Sequence, residues 1–282
     1  MRTLLLLLSI FIQSTLLVEA AKPTSNIENI DLNIRDHELA VTFLGLTEGE
    51  ATLIQGSSGE NILVNTGGKE TDAELEGWLN IYDVKEISKL ILTSNEHELS
   101  DKLINRLITK FSIKEIITTR EISAQLSKKL NVTNKPAVIS WEQGTKEKIL
   151  PEVTAVVQFV GNEPNEGMDF TLNFFNHRIF LMTSFTQRAE ETLLKKNLEN
   201  INVFKIPNYA AEDSLSEKLI QYLNPQISIL FPPEAEQHDP DILIDLHETW
   251  SEIYSTKKHG TVTIKFTDSN YEVITIPIEE VE

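Results

Sequence analysis

Between Lys89 and Leu130 short apolar runs alternate with helical periodicity, and this alternation restricts the possible folds more than any other feature. Lys89–Leu92 is an apolar run of strand length. Leu99, Leu103, Ile104, Leu107, Ile108 and Phe111 then recur at three- and four-residue spacing, the stripe of a helix buried on one face. Glu115–Thr118 gives a second strand and Glu121–Leu130 a second helix. Strand, helix, strand, helix predicts parallel βαβ units whose helices lie outside the sheet.

The flanking sequence extends this pattern. Strands are expected at Glu38–Leu44, Ala51–Gln55 and Asn61–Asn65, the last two joined by the turn Gly56-Ser57-Ser58-Gly59. Thr71 and Glu74 read as a capping box that opens a helix carrying Leu75, Trp78, Leu79 and Tyr82. The second half places strands near Ala155–Val160, Phe170–Phe175 and Ile179–Met182, a helix over Gln187–Leu198 and a strand at Val203–Ile206. Ser214 and Glu217 are expected to cap a helix ending at Pro225; Ile227–Phe231, a helix Asp241–Thr249 and a hairpin of Thr261–Phe266 with Tyr271–Ile276 complete the chain. Each half offers strands first and helices outside, and Asn162–Gly167 is only a loop, so the expectation is one α/β domain of two mixed sheets face to face, a four-layer α/β/β/α sandwich.

At 282 residues with 40% hydrophobic side chains the chain can bury a large core. Arg2, the apolar run from Leu4 and the small residues Ala20 and Ala21 before Lys22 have the pattern of a secretory signal, with an uncleaved anchor as the alternative. The expected organisation is a signal peptide at 1–21, a polar lead-in at 22–37 and the domain at 38–282, secreted or at the cell surface, with no membrane span in the mature chain. There is no cysteine, so neither disulfides nor thiolate chemistry are available, which fits a bacterial extracytoplasmic protein. Asn131-Val132-Thr133 would be a glycosylation acceptor in a eukaryotic host. The formal charge is −18, and Arg2 and Glu19 cancel, so removing the signal leaves it unchanged. Direct nucleic-acid binding is not expected from so acidic a surface.

The motifs resemble a known family. Val41–Ala51 is similar to Val-x-Phe-Leu-x-Val-Gly-Gln-Gly-Asp-Ala, and Leu63–Gly68 to Leu-Ile-Asp-Thr-Gly-Gly with Asn65 for the Asp. Lys89–Asp101 resembles a buried strand running into Thr-His-x-(His/Asp)-x-Asp-His, with Thr93 retained. Phe180–Phe185 with Ala189-Glu190 resembles Leu-Leu-Thr-Gly-Asp and its trailing helix; Lys205–Ala210 resembles a segment containing Val-Pro-His-His-Gly. His238-Asp239-Pro240 resembles Gly-His-Pro, and Tyr254–Ile264 the terminal Tyr-x-Thr…Gly-Thr-Ile-Thr-Ile hairpin. These seven matches in order, from about Leu39 to Ile276, resemble the metallo-β-lactamase fold, most closely the C-terminal domain of the competence protein ComEC and its stand-alone relatives.

That resemblance implies a hydrolytic metal centre, and the same residues depart from it. Zinc-type hydrolysis needs three or four N, S or O donors to hold the ion and acidify its water. The implied ligand positions hold Ser94, Glu96, Leu99, Phe185, Asn208 and Asp239, with Glu98 beside them; only Glu96 and Asp239 are competent donors. Asp239 before Pro240 also reads as an N-cap with proline at the first helical position. Glu96, Glu98 and Asp101 read as acidic residues at a helix start, with a loose Ca²⁺ or Mg²⁺ site as the alternative. His97 and His238 each fall one residue from a position the family uses, which leaves a shifted metal site as a further alternative. No Gly-x-Ser-x-Gly elbow, Walker loop or dinucleotide turn is present.

The expectation is therefore an exported, catalytically inactive protein of this fold, without a cofactor, acting as a binding or accessory module. An unidentified protein or small ligand would bind at the former active-site mouth, lined by Thr93, Ser94, Phe185, Asn208 and Tyr209. The alternative is a divergent metal-dependent hydrolase, using a divalent ion such as zinc on a phosphoester or nucleic acid. Leu99 and Phe185 are expected to have changed from catalytic positions to packing.

Overall fold

Two sheets packed face to face carry every described strand, and helices cover both outer faces. The structure is a computed structural model that describes residues 29–94, 100–211, 214–231 and 239–277. The first sheet uses β1 (Leu39–Phe43), β2 (Thr52–Gly56), β3 (Asn61–Val64), β4 (Lys89–Ile91), β5 (Glu115–Thr118), β6 (Ala137–Ser140), β14 (Thr261–Phe266) and β15 (Tyr271–Ile276), ordered β15-β14-β1-β2-β3-β4-β5-β6. The second uses β7 (Lys146–Leu150), β8 (Val153–Val160), β9 (Met168–Phe174), β10 (His177–Leu181), β11 (Val203–Lys205), β12 (Ile227–Leu230) and β13 (Glu252–Ser255), ordered β13-β12-β11-β10-β9-β8-β7. Each sheet has a parallel half, β3 to β6 and β10 to β13, and an antiparallel half.

Side-chain alternation along the strands makes the layers. Leu39, Val41 and Phe43 face Phe170, Leu172 and Phe174 across the space between the sheets. Residues of opposite parity face helices. Helices α1 (Asp72–Ile81), α2 (Asp101–Phe111) and α3 (Arg120–Lys129) cover the first sheet; α4 (Gln187–Leu193), α5 (Glu217–Leu223) and α6 (Pro240–Glu248) cover the second, and a short α7 (Thr256–His259) precedes β14. The four-layer α/β/β/α sandwich expected from the sequence is the observed architecture. Ile30 and Leu32 of the lead-in lie against the helix-side core of the first sheet, and the Ile30 N–H donates to the Ile81 carbonyl at 2.7 Å. No helix among the described residues is long and apolar enough to cross a membrane.

Two caps differ from expectation. Thr71 does stand before α1, but its hydroxyl donates to the Gly68 carbonyl, while Glu74 accepts from Thr47 N–H and Oγ1 at 2.8 and 2.7 Å. Glu74 thus pins the β1–β2 loop instead of closing a capping box. For α5 the N-cap is Ser216, whose Oγ accepts from Leu219 N–H, whereas Ser214 is buried and its hydroxyl has no hydrogen-bond partner among the described residues. The α4 helix ends at Leu193, well short of the expected Leu198. Asp239 does cap α6, accepting from Asp241 N–H at 2.9 Å with Pro240 at the first position.

Candidate functional site

The parallel strands β3, β4 and β11, with β10 beside them, end on the same side of the sandwich, and their C-terminal loops form one mouth. Open α/β sheets place ligands at such strand ends. The mouth holds a small cavity of about 50 Å³ that opens to solvent, lined by Glu50, Asn65, Thr66, Ser94, Lys205 and Asn208 among others. Of the residues the sequence places at a former metal site, Asn65, Ser94, Asn208 and Tyr209 line this cavity, and Thr93 bonds to its floor. Glu96, His97, Glu98, Leu99 and His238 lie outside the described residues.

A continuous polar network forms the floor. Lys205 Nζ donates to Glu50 Oε2 at 2.6 Å, and Asn65 Nδ2 donates to Glu50 Oε1 at 2.8 Å. Asn65 Oδ1 accepts from Thr93 N–H at 3.0 Å, and the Thr93 and Thr183 hydroxyls meet at 2.9 Å. An Asp at position 65 would turn a carboxylate toward Glu50 and lose that donated bond; the amide is what suits a neighbouring acid. Asn65 sits in the left-handed region at φ 59°, one of the few residue types that tolerates it.

Beside this network lies Asp169, the second residue of β9 and fully buried. Its Oδ1 accepts from the N–H groups of Thr183 and Ser184 at 2.6 and 2.8 Å, while Oδ2 has no partner among the described residues. Burial pushes its carboxyl up to about 6, against the pull of those two N–H groups and of the Lys205 charge. Close backbone approach tightens the mouth. Met168 N–H donates to the Thr93 carbonyl at 2.8 Å, joining the two sheets, and a Cβ on the adjacent Gly167 would stand 2.5 Å from that oxygen.

After β11 the chain passes through Pro207 into Asn208, Tyr209 and Ala210 at φ 44°, 56° and 55°. Three successive left-handed residues, none of them glycine, store strain of about 1–3 kcal/mol each, and such strain concentrates at functional sites. The Ala210 carbonyl accepting from Asp239 N–H at 2.8 Å and the Tyr209 ring against the inter-sheet core hold the segment in place.

Phe185, at the position implied for a bridging Asp, is half-buried and belongs to none of the three apolar cores. Its N–H donates to the Asn165 carbonyl. The expectation that Phe185 packs as core is corrected: β10 ends at Leu181, and the chain has left the sheet before it reaches Phe185. Nearby, Glu166 is buried and paired with Arg188, which lies over the Phe159 ring. Burial alone would raise its carboxyl; the bonds from Arg188 and Thr186 outweigh it and hold Glu166 below the usual range.

The donor chemistry of the described residues does not fit a zinc ion. Ser94 and Asn208 offer weak neutral oxygens, Phe185 offers none, and Asp239 Oδ1 is engaged in capping α6. No three His, Cys, Asp or Glu side chains come together as a metal-binding group among the described residues. Glu50, Lys205, Asp169 and Thr183 were not singled out from the sequence. Asp169 alone carried a signal, an acid inside the apolar run Met168–Phe174.

No family model matches the sequence, and no curated protein is similar to it at a significant level. Solved structures are similar. The metallo-β-lactamase fold protein YhfI from Bacillus subtilis superposes with a TM-score of 0.57 at 12% identity, covering 84% of this chain and 99% of its own. Zn²⁺-bound PqqB from Methylobacterium extorquens gives 0.49 at 8% identity over 73% of this chain and 85% of its own. A Cronobacter sakazakii metallo-β-lactamase with a HARLDQ motif gives 0.47 at 11% identity over 61% and 77%. The likeness to YhfI establishes the fold.

Proposed function

We propose that this protein of the metallo-β-lactamase fold works outside the cytoplasm as a catalytically inactive binding module. The observation that carries the reading is the donor set: where the fold's hydrolases need convergent metal ligands, the described positions hold Ser94, Asn208, Phe185 and a capping Asp239. The mouth itself is kept, with a cavity and a satisfied polar floor. Fold alone fixes no activity, so the argument rests on these side chains. The N-terminal pattern of Arg2, an apolar run and Ala20-Ala21 supports export, and the charge of −18 favours a protein or small-ligand partner over nucleic acid.

Metal content and turnover test this reading together. Natively purified protein should contain far less than one equivalent of zinc, manganese or iron. It should leave β-lactam and phosphodiester chromogens unhydrolysed with each ion added. Stoichiometric metal together with turnover abolished by chelation would establish the divergent hydrolase instead. N-terminal sequencing of exported material should begin near Ala21 or Lys22; intact Met1 found only in the cytosol would refute export.

A further inference from the structure

The Lys205–Glu50 pair is more than a structural tie. The Lys205 side chain is only 5% exposed, yet its ammonium spends one of three donors on a described partner, Glu50. Glu50, 17% exposed, retains lone pairs on both oxygens after accepting from Lys205 and Asn65. Both side chains line the mouth cavity, together with the Thr66 and Ser94 hydroxyls and the Asn208 amide, none of which has a side-chain hydrogen bond among the described residues. Tyr209, half-buried, completes the wall with apolar surface. Pockets for small molecules have this composition: apolar walls and a few converging polar groups.

The charges select the kind of ligand. An anion would gain from Lys205 but would meet Glu50 directly and Asp169 behind it; a divalent cation would meet the Lys205 ammonium. A neutral group that both donates and accepts meets no such opposition. Lys205 Nζ and Glu50 Oε2 stand 2.6 Å apart, a spacing comparable to that of hydroxyl oxygens on neighbouring carbons. One hydroxyl of a vicinal diol can accept from Lys205 while its neighbour donates to Glu50.

We propose that the mouth cavity binds a neutral polyhydroxylated ligand, a sugar ring, by bridging a vicinal diol across Lys205 and Glu50. Ser94, Thr66 and Asn208 take further hydroxyls, and Tyr209 covers the C–H face of the ring. This assignment rests on the binding-module reading and makes it specific.

Titration of the whole mature protein with D-glucose, D-galactose and N-acetyl-D-glucosamine, followed by calorimetry and thermal melting, tests the assignment. At least one sugar should bind saturably, and Lys205→Met and Glu50→Gln should each weaken binding at least tenfold with an unchanged circular dichroism spectrum. If either variant fails to fold, Ser94→Ala and Asn208→Ala take its place, and each should weaken binding several-fold. Absence of a response to all three sugars, or binding unchanged in the variants, overturns the proposal. Saturable binding of acetate in place of the sugars overturns the ligand class and leaves the binding-module reading standing. Saturable stabilisation by Zn²⁺ with hydrolytic turnover overturns that reading as well.

Discussion

Asp169 shows how one buried acid couples the mouth to pH. Its carboxyl is raised from 3.8 to about 6, so the folded protein binds the proton more tightly than the unfolded chain. The group therefore favours folding below pH 3.8, and that contribution is lost as pH rises to about 6. In Asp169→Asn the amide oxygen can still accept from Thr183 and Ser184 while the charge is gone. Urea melts should show this variant gaining on wild type between pH 4 and 6, by on the order of 2–3 kcal/mol, with no further change above. Phe185→Ala should cost less than about 2 kcal/mol, below the roughly 3–5 kcal/mol of a fully buried phenylalanine, because its ring stands outside the three cores; a denaturant series measures it. At this scale the sequence was readable wherever a residue's role is local, as for Asp239 before Pro240. It was not readable where partners lie far apart in the chain: Lys205 and Glu50 are 155 residues apart, and nothing near either one announces the other.

Elements with one buried face were legible, and elements at the margins were not. The amphipathic stripes of α2 and α3 and the continuous apolar runs of β4, β5 and β12 are set by their own burial pattern. The edge strands β6, β7 and β13 escaped notice because most of their residues are exposed or half-buried, so neither alternation nor an apolar run marks them. The start of α5 is the sharpest case. Ser214 and Ser216 are two residues apart, and only Ser216 has its hydroxyl on a helix N–H. Ser216→Ala should lower stability by about 1 kcal/mol, as lost N-caps do. Ser214→Ala should match wild type or exceed it, since it removes a buried hydroxyl that has no partner among the described residues. Parallel denaturation curves of the two variants decide the assignment.

Across the whole molecule the two sheets meet at a second pH-sensitive contact. His177, at the start of β10, is buried with its ring packed against Phe266 and Tyr271 of the first sheet. Burial pulls its pKa below the ordinary 6.5, with the Thr267 backbone and Asp268 partly opposing. The unfolded chain then binds the proton more readily, so stability is complete above pH 6.5 and declines as pH falls from there through the lowered folded value. His177→Phe should lose this decline, seen as a flatter profile of melting temperature between pH 7 and 5. The layered architecture was legible in the sequence because it follows from summed patterns. The closing of the mouth by Met168 on Thr93 was not, since a backbone bond leaves no trace in side-chain identity.

The order of the first sheet has a consequence for how the chain reaches its native state. Leu39 on β1 pairs with Phe266 on β14, so the strand that opens the fold finds one of its two partners only after almost all of the chain has been synthesised. Folding dominated by such distant pairings is slow. An N-terminal fragment ending near Gln143 would contain β1 to β6 yet leave one edge of β1 bare and the whole inner face of the sheet uncovered. Bare edges of this kind recruit other strands. Such a fragment should aggregate, while an equimolar mixture with the remaining C-terminal piece should recover soluble, protease-resistant material; light scattering and limited proteolysis would follow both. Assembly order, from this perspective, is written into strand order: the last hairpin made completes the first sheet begun.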